Sequence, residues 1–172
     1  MVHAIGKVLI PPTQTIAQIV SGSGTGAAGF SLLLDAVVRA GVGLPSGTPS
    51  LATLLSSPGK YTVFAPTNAA FQATASGAAI NVSTTALINA LPVTAVAGVL
   101  GSHAYSTNIF AGDLVAGVVT SPSTLNPATT LTFALSTSAT VKITGTATTA
   151  GITTTDIVAT NGVIHIIDKV LQ

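Results

Sequence analysis

The spacing of apolar residues changes once along this 172-residue chain, and that change limits the fold more than any single motif does. Up to about residue 112 the apolar side chains mostly recur at helical intervals. From Asp113 onward they fall into short β runs, "LTFALS", "TVKITG", "DIVAT" and "VIHIIDKV", separated by Ser/Thr/Gly turns. Helices first and strands second, without regular alternation, predicts an α+β fold. Between the last two runs stands Asn161-Gly162, the pair that a two-residue type I′ hairpin favours, since both residues accept positive φ.

Within the helical part, "TQTIAQIV" reads as a short helix with Thr13 or Thr15 as N-cap, and "SGSGTGAAG" is too glycine-rich for regular structure. "FSLLLDAVVRAG" is a longer helix. Phe30, Leu33, Leu34, Val37 and Val38 are expected on one face, Asp35 and Arg39 stand at i,i+4, and Gly41 falls at the C′ position. "LATLLSS" predicts another short helix, and "STTALINALPVTAVAGVLGSHAYS" is helical to about Leu100 with Pro92 dividing it. One stretch departs from this pattern. "KYTVFAPTNAAFQA" predicts a strand through Tyr61, Thr62, Val63 and Phe64, ended by Pro66, with Thr67 or Asn68 capping a turn that contains Phe71.

Charged residues make up 5% of the chain, where about 25% is usual, and the net charge is +1. Such a surface has no field for nucleic acid or an anionic membrane. Serine and threonine, about a quarter of the residues, carry the hydrophilicity, a composition that fits many extracytoplasmic bacterial proteins. There is no cysteine, which excludes a disulfide framework and thiolate metal sites. The longest apolar run, Ala86 to Gly101, is interrupted by Asn89, Pro92 and Thr94 and falls short of the roughly 20 residues a bilayer requires. "MVHAIGKVLI" lacks a basic n-region and a cleavage site, so the leader of an exported protein is expected outside this chain.

Few motifs suggest chemistry. "GTGAAG", Gly24 to Gly29, matches G-x-G-x-x-G, yet the strand before it and the acid about 20 positions on are missing. His3, His103 and His165 are scattered, and the four Asp do not join them at ligand spacing, so no metal or cofactor is expected. His165 is expected as a core group donating one ring N–H to a carbonyl, and His103 as a capping or buried hydrogen-bonding group. Ser102 adjoins His103, but sequence neighbours rarely point at each other, and no glutamate is present to act as a base. No enzyme is expected. Asn81-Val82-Ser83, formally a glycosylation sequon, reads as the lead into a helix.

"YTVFAPTNAAF", "GSHAYS" and "DIVATNGVIHIIDKVL", in that order, resemble the boxes of the fasciclin (FAS1) domain: the opening box, the Tyr-His region and the closing box. The resemblance covers roughly Thr13 to Gln172. It implies a β-wedge or sandwich of short, mostly antiparallel strands with a helical lobe built by the N-terminal half. Its structural boxes fall on Thr62, Phe64, Pro66, Thr67, Asn68, Phe71, Asn161, Gly162, His165 and Asp168. The chain also begins as it ends. Set His3 of "VHAIGKVLIPP" over His165 of "IHIIDKVLQ", and Ile5, Lys7, Val8 and Leu9 coincide with Ile167, Lys169, Val170 and Leu171, while Gly6 replaces Asp168. Residues 1–12 are therefore expected to be the terminal strand and linker of a preceding copy in a tandem array, and residues 13–172 the domain itself.

The family resemblance implies a non-enzymatic adhesion or matrix-interaction module, secreted or at the cell surface. Its partners would be a surface protein or glycan and neighbouring FAS1 domains. In animal members an Asp-Ile pair and the Tyr-His region have been implicated in integrin binding. The pair falls on Asp156 and Ile157, and the histidine on His103, with Ser102 where the tyrosine would stand. A passive spacer in such an array is the alternative expectation, and a small-molecule carrier with a cleft between lobe and strands is a third.

Overall fold

The computed structural model describes residues 11–42, 50–73, 84–115, 132–135, 141–144 and 148–171. The matching opening stretch, Val2 to Ile10, and the Asn81-Val82-Ser83 sequon lie outside them.

Local sequence starts most of the helices. In α1 (Ile16–Ser21) Thr15 and Gln18 form a reciprocal capping box, each side chain accepting from the other's backbone N–H. Ser50 caps α3 (Leu51–Ser56) and Thr84 caps α5 (Thr85–Ala90) through the same Oγ-to-backbone bond. Pro92 opens α6 (Val93–Ser102), where its missing N–H costs nothing. The long helix α2 (Ser31–Gly41) differs, because Phe30 at its N-cap has no side-chain acceptor. Asn68, at the start of α4 (Asn68–Ala73), supplies it from a distance. Its Oδ1 accepts from Leu32 N at 2.9 Å, and its Nδ2 donates to the carbonyls of Thr25 and Gly26 and to Ser31 Oγ.

The buried face of α2 is Leu32, Leu33, Ala36, Val37 and Ala40, which corrects the expected one. Val38 is 67% exposed. Asp35 and Arg39 explain the rotation. Asp35 accepts from Thr85 Oγ1 and Arg39 donates to the Leu91 carbonyl, so both look toward α5 and Val38 is carried to the outer arc. Gly41 is the last helical residue, and the chain leaves through Val42 in an extended conformation rather than turning at a C′ glycine.

The strands are β1 (Tyr61–Pro66), β2 (Ala104–Tyr105), β3 (Thr132–Leu135), β4 (Val141–Thr144), β5 (Thr149–Ala159) and β6 (Gly162–Ile167), with a short α7 (Ala111–Val115) before β3. They form one sheet in the order β2-β1-β6-β5-β4-β3. Among the described strands every pairing is antiparallel except one, where β1 runs parallel to β6 from Tyr61↔Gly162 to Pro66↔Ile167.

That parallel pair is buried on both faces, which is why both strands read as continuous apolar runs. Val63, Ala65 and Ile164 pack into the helical lobe with Leu33, Val37 and Leu100. Phe64 and Ile167 face a second cluster with Tyr105, Ile109, Leu114 and Leu171. Each large side chain buried there contributes about 1.5–3 kcal/mol. The fold is the α+β wedge with a helical lobe that the sequence predicts.

The turn feeding β6 differs from the type I′ expectation. Ala159 pairs with Gly162, so the loop residues are Thr160 and Asn161. Among the described residues Asp156 alone has positive φ without being glycine, so Asn161 does not adopt it. The Asn161 side chain is engaged elsewhere. Oδ1 accepts from Ile16 N at 2.9 Å, and Nδ2 donates to the carbonyls of Leu55 and Ser57 at 2.8 and 3.0 Å. One buried amide thus joins the start of α1 to the end of α3 at the foot of the sheet. Gly162 has φ 156°, and a Cβ there would lie 1.9 Å from the Tyr61 carbonyl oxygen. Only glycine lets β6 approach β1 at this register.

Gly162→Ala is therefore expected to lower stability by about 3 kcal/mol or more, the range of backbone-strain substitutions. Urea unfolding of the variant beside the parent checks this; an unchanged midpoint would show that the close approach is not required.

Candidate functional site

β5 carries two register irregularities, between Ile152 and Thr154 and between Thr154 and Ile157. Each inserts an unpaired residue, the geometry of a β-bulge. At the second, Asp156 takes φ 57°, a left-handed conformation that a short polar side chain tolerates. Its backbone N–H donates to His165 Nδ1 at 3.3 Å, and its carboxylate Oδ1 accepts from Ala111 N, the first residue of α7, at 2.9 Å. Asp113 Oδ2 closes the same turn by accepting from Phe110 N at 2.9 Å. Asp156 is thus exposed yet fixed in position. Ile157 is half-buried against the core of the helical lobe. Phe110, beside Ala111 in the chain, is 40% exposed, and Val158 is also open to solvent. A held carboxylate with exposed apolar side chains nearby can bind a cationic or hydrogen-bonding group of a partner.

His165 lies beneath this carboxylate. Its ring stacks on Phe64 at 5.4 Å, and Nε2 bonds the Ile109 carbonyl at 2.8 Å. A carbonyl only accepts, so the proton sits on Nε2 and Nδ1 receives the Asp156 N–H. Burial pushes the His165 pKa below its ordinary value, against the opposing pull of the Ile109 bond and the Asp156 charge. His103 is 2% exposed. Its Nδ1 donates to the Val99 carbonyl at 2.7 Å and its Nε2 accepts from Leu171 N at 2.9 Å, fastening the end of α6 to the last described residue. Burial lowers its pKa to about 4 despite the Val99 bond. Neither ring has a nitrogen left for a metal or a proton relay. Ser102 Oγ donates to Gly98 O within its own helix, so it is not aimed at His103. His103 therefore does not share the surface of Asp156.

The remaining box residues hold backbone in place. Thr62 Oγ1 donates to Thr107 O and accepts from Ile109 N, tying the segment before α7 to β1. Phe64 meets Tyr105 edge-on at 5.9 Å. Pro66 ends the parallel pairing opposite Ile167, Thr67 Oγ1 accepts from Ala70 N, and Phe71 is buried. Asp168 Oδ1 accepts from Gly151 N at 2.7 Å, clamping the first residues of β5. The glycine loop turns carbonyls inward. Those of Thr25 and Gly26 accept from Asn68 Nδ2, and those of Ala27 and Gly29 accept from the N–H groups of Ala69 and Asn68. A phosphate cradle needs the opposite polarity. Among the described residues no three His or Asp side chains converge.

Sequence reasoning missed α7 and the long-range roles of Asn68, Asn161 and Thr62. A polar residue inside an otherwise apolar box was the available signal, since buried amides and hydroxyls must find partners.

The comparisons agree with this geometry. The Fasciclin domain model matches residues 45–172, and the chain belongs to that family. A solved FAS1 domain pair from the insect cell adhesion molecule Fasciclin I is similar in fold, with a TM-score of 0.51 and 23% sequence identity. The match covers 65% of this chain and 36% of that one, so the chain spans well under half of its length. No curated protein matches. Helices α1 and α2 precede the matched stretch and still contribute Ile16, Leu33 and Val37 to the same core.

The histidines set a pH dependence. His103 folds neutral with a pKa of about 4, below the unfolded value of 6.5, so the unfolded chain takes up protons first. Its contribution is whole above pH 6.5 and is lost as the pH falls toward 4, amounting to about 3 kcal/mol. His103→Gln should flatten the urea midpoint across that window, while an unaltered slope would contradict the assignment.

Proposed function

We propose that this domain is a non-enzymatic adhesion module of an extracellular or cell-surface protein, contacting a protein or glycan on another surface. The observation that carries the reading is the Asp156 carboxylate, exposed and held by the bulge and by Ala111 N–H, with Phe110 and Val158 open to solvent. Membership of a family that includes a cell adhesion molecule supports it. So does the local chemistry, because Ser102, His103 and His165 are occupied by main-chain groups. Among the described residues no helix is long and apolar enough to cross a membrane.

A passive spacer in a tandem array is the second reading. It is favoured by the same bond seen differently: the carboxylate already has a partner in Ala111 N–H, and Ile157 packs inward.

Asp156→Asn separates the two, since asparagine keeps the left-handed backbone and an acceptor oxygen but removes the charge. Adhesion predicts that the folded parent binds on an array of glycans and matrix proteins and that the variant binds about tenfold or more weakly at equal stability. Binding that is absent in the parent, or equal in both, overturns the role given to Asp156.

A further inference from the structure

A separate feature lies inside the helical lobe. Between α1, α2 and α3 a cleft of about 80 Å³ descends to the sheet. Leu33, Val37, Leu55, Val63 and Leu100 line its depth, all buried, together with the His103 ring. Its more open part, the mouth, is lined by Ala17, Leu34, Leu51, Ala52 and Ser56, of which Ala52 and Ser56 are exposed. The polar groups in its walls donate elsewhere: His103 Nδ1 to Val99 O, Ser56 Oγ to Ala52 O, while His103 Nε2 receives Leu171 N–H. Water entering the depth would find too few partners to stay, since a buried water typically makes about three hydrogen bonds.

We infer that this cleft binds the slender alkyl end of a small neutral amphiphile. Size decides against a ring, because the cleft has about half the ~150 Å³ of an apolar cavity that accepts benzene. It also decides against a peptide segment, which would bring backbone N–H and C=O groups into walls that offer them no partners. The head would remain at the mouth, where the Ser/Thr-rich surface of α3 carries no charge, so a neutral head is the match. The cleft stands apart from Asp156 and does not depend on the adhesion reading.

The test is an NMR titration of the full chain with 1-propanol through 1-octanol, read at the amides of Val63, Leu100 and Ala104. Saturable shifts are expected, with affinity rising roughly three- to fourfold per methylene until the depth is filled and then levelling. Ala17→Phe, or Ala52→Leu on the exposed rim should the first variant fold poorly, should abolish the shifts, while Asp156→Asn should leave them intact. Co-sedimentation with phosphatidylcholine vesicles then distinguishes a membrane lipid from a free amphiphile. No saturable shift in the parent overturns the inference. So does tighter binding of benzyl alcohol or N-acetyl-leucinamide than of hexanol, or full retention of binding in a folded rim variant.

Discussion

The parallel pairing of β1 with β6 is the constraint on which the rest of the domain depends. It joins Tyr61 to Gly162 and runs six residues to Pro66 and Ile167, so strands a hundred residues apart become neighbours inside the sheet, away from either edge. Both faces of this pair are covered, by the helical lobe on one side and by the Phe64, Tyr105 and Leu114 cluster on the other. Everything placed on either face depends on its register. The lower end is set by Gly162, which has no Cβ to strike the Tyr61 carbonyl, and by Tyr61 N–H bonding the Asn161 carbonyl.

A chain with so few charges must satisfy its buried polar ends with neutral groups, each bond contributing about 1 kcal/mol net and costing more if broken. The box residues do this work. Asn68 caps α2 from α4, Asn161 ties α1 to α3, Thr62 holds the segment before α7, and His103 holds the C-terminal stretch. The same occupation limits chemistry. Ser102, His103 and His165 have their donors and acceptors directed at backbone groups.

Much of this was legible because its signals are local. A threonine N-cap before "IAQIV" opens α1, "YTVFAPTNAAF" reads as strand, stop and helix, and Pro92 divides α5 from α6. The family boxes carried the fold class. What was not legible is long-range. No local pattern says that β1 and β6 run parallel, since the intervening chain contains most of the domain. The buried face of α2 does not follow from its apolar pattern, because Leu34 and Val38 are as apolar as Leu32 and Ala36. Only the partners of Asp35 and Arg39 on and after α5 fix the rotation. Beside Gly162 in the sequence, Asn161 has the signature of a turn former, whereas its side chain answers to two helices over a hundred residues away in sequence. Asp156 stood in an apparently regular strand run, and its left-handed backbone follows from a bulge that depends on His165 and α7.

Native-state hydrogen exchange tests the central claim most directly, because it reports the free energy at which each amide opens. If the β1–β6 pair is the axis of the fold, the amides of Val63, Phe64, Ile164 and His165 should exchange only through global unfolding, with the free energy measured by denaturant. Those of the edge strands β2 and β3 should open at lower cost. Exchange of the β1 and β6 amides through a local opening cheaper than that of α2 or α6 would contradict the account.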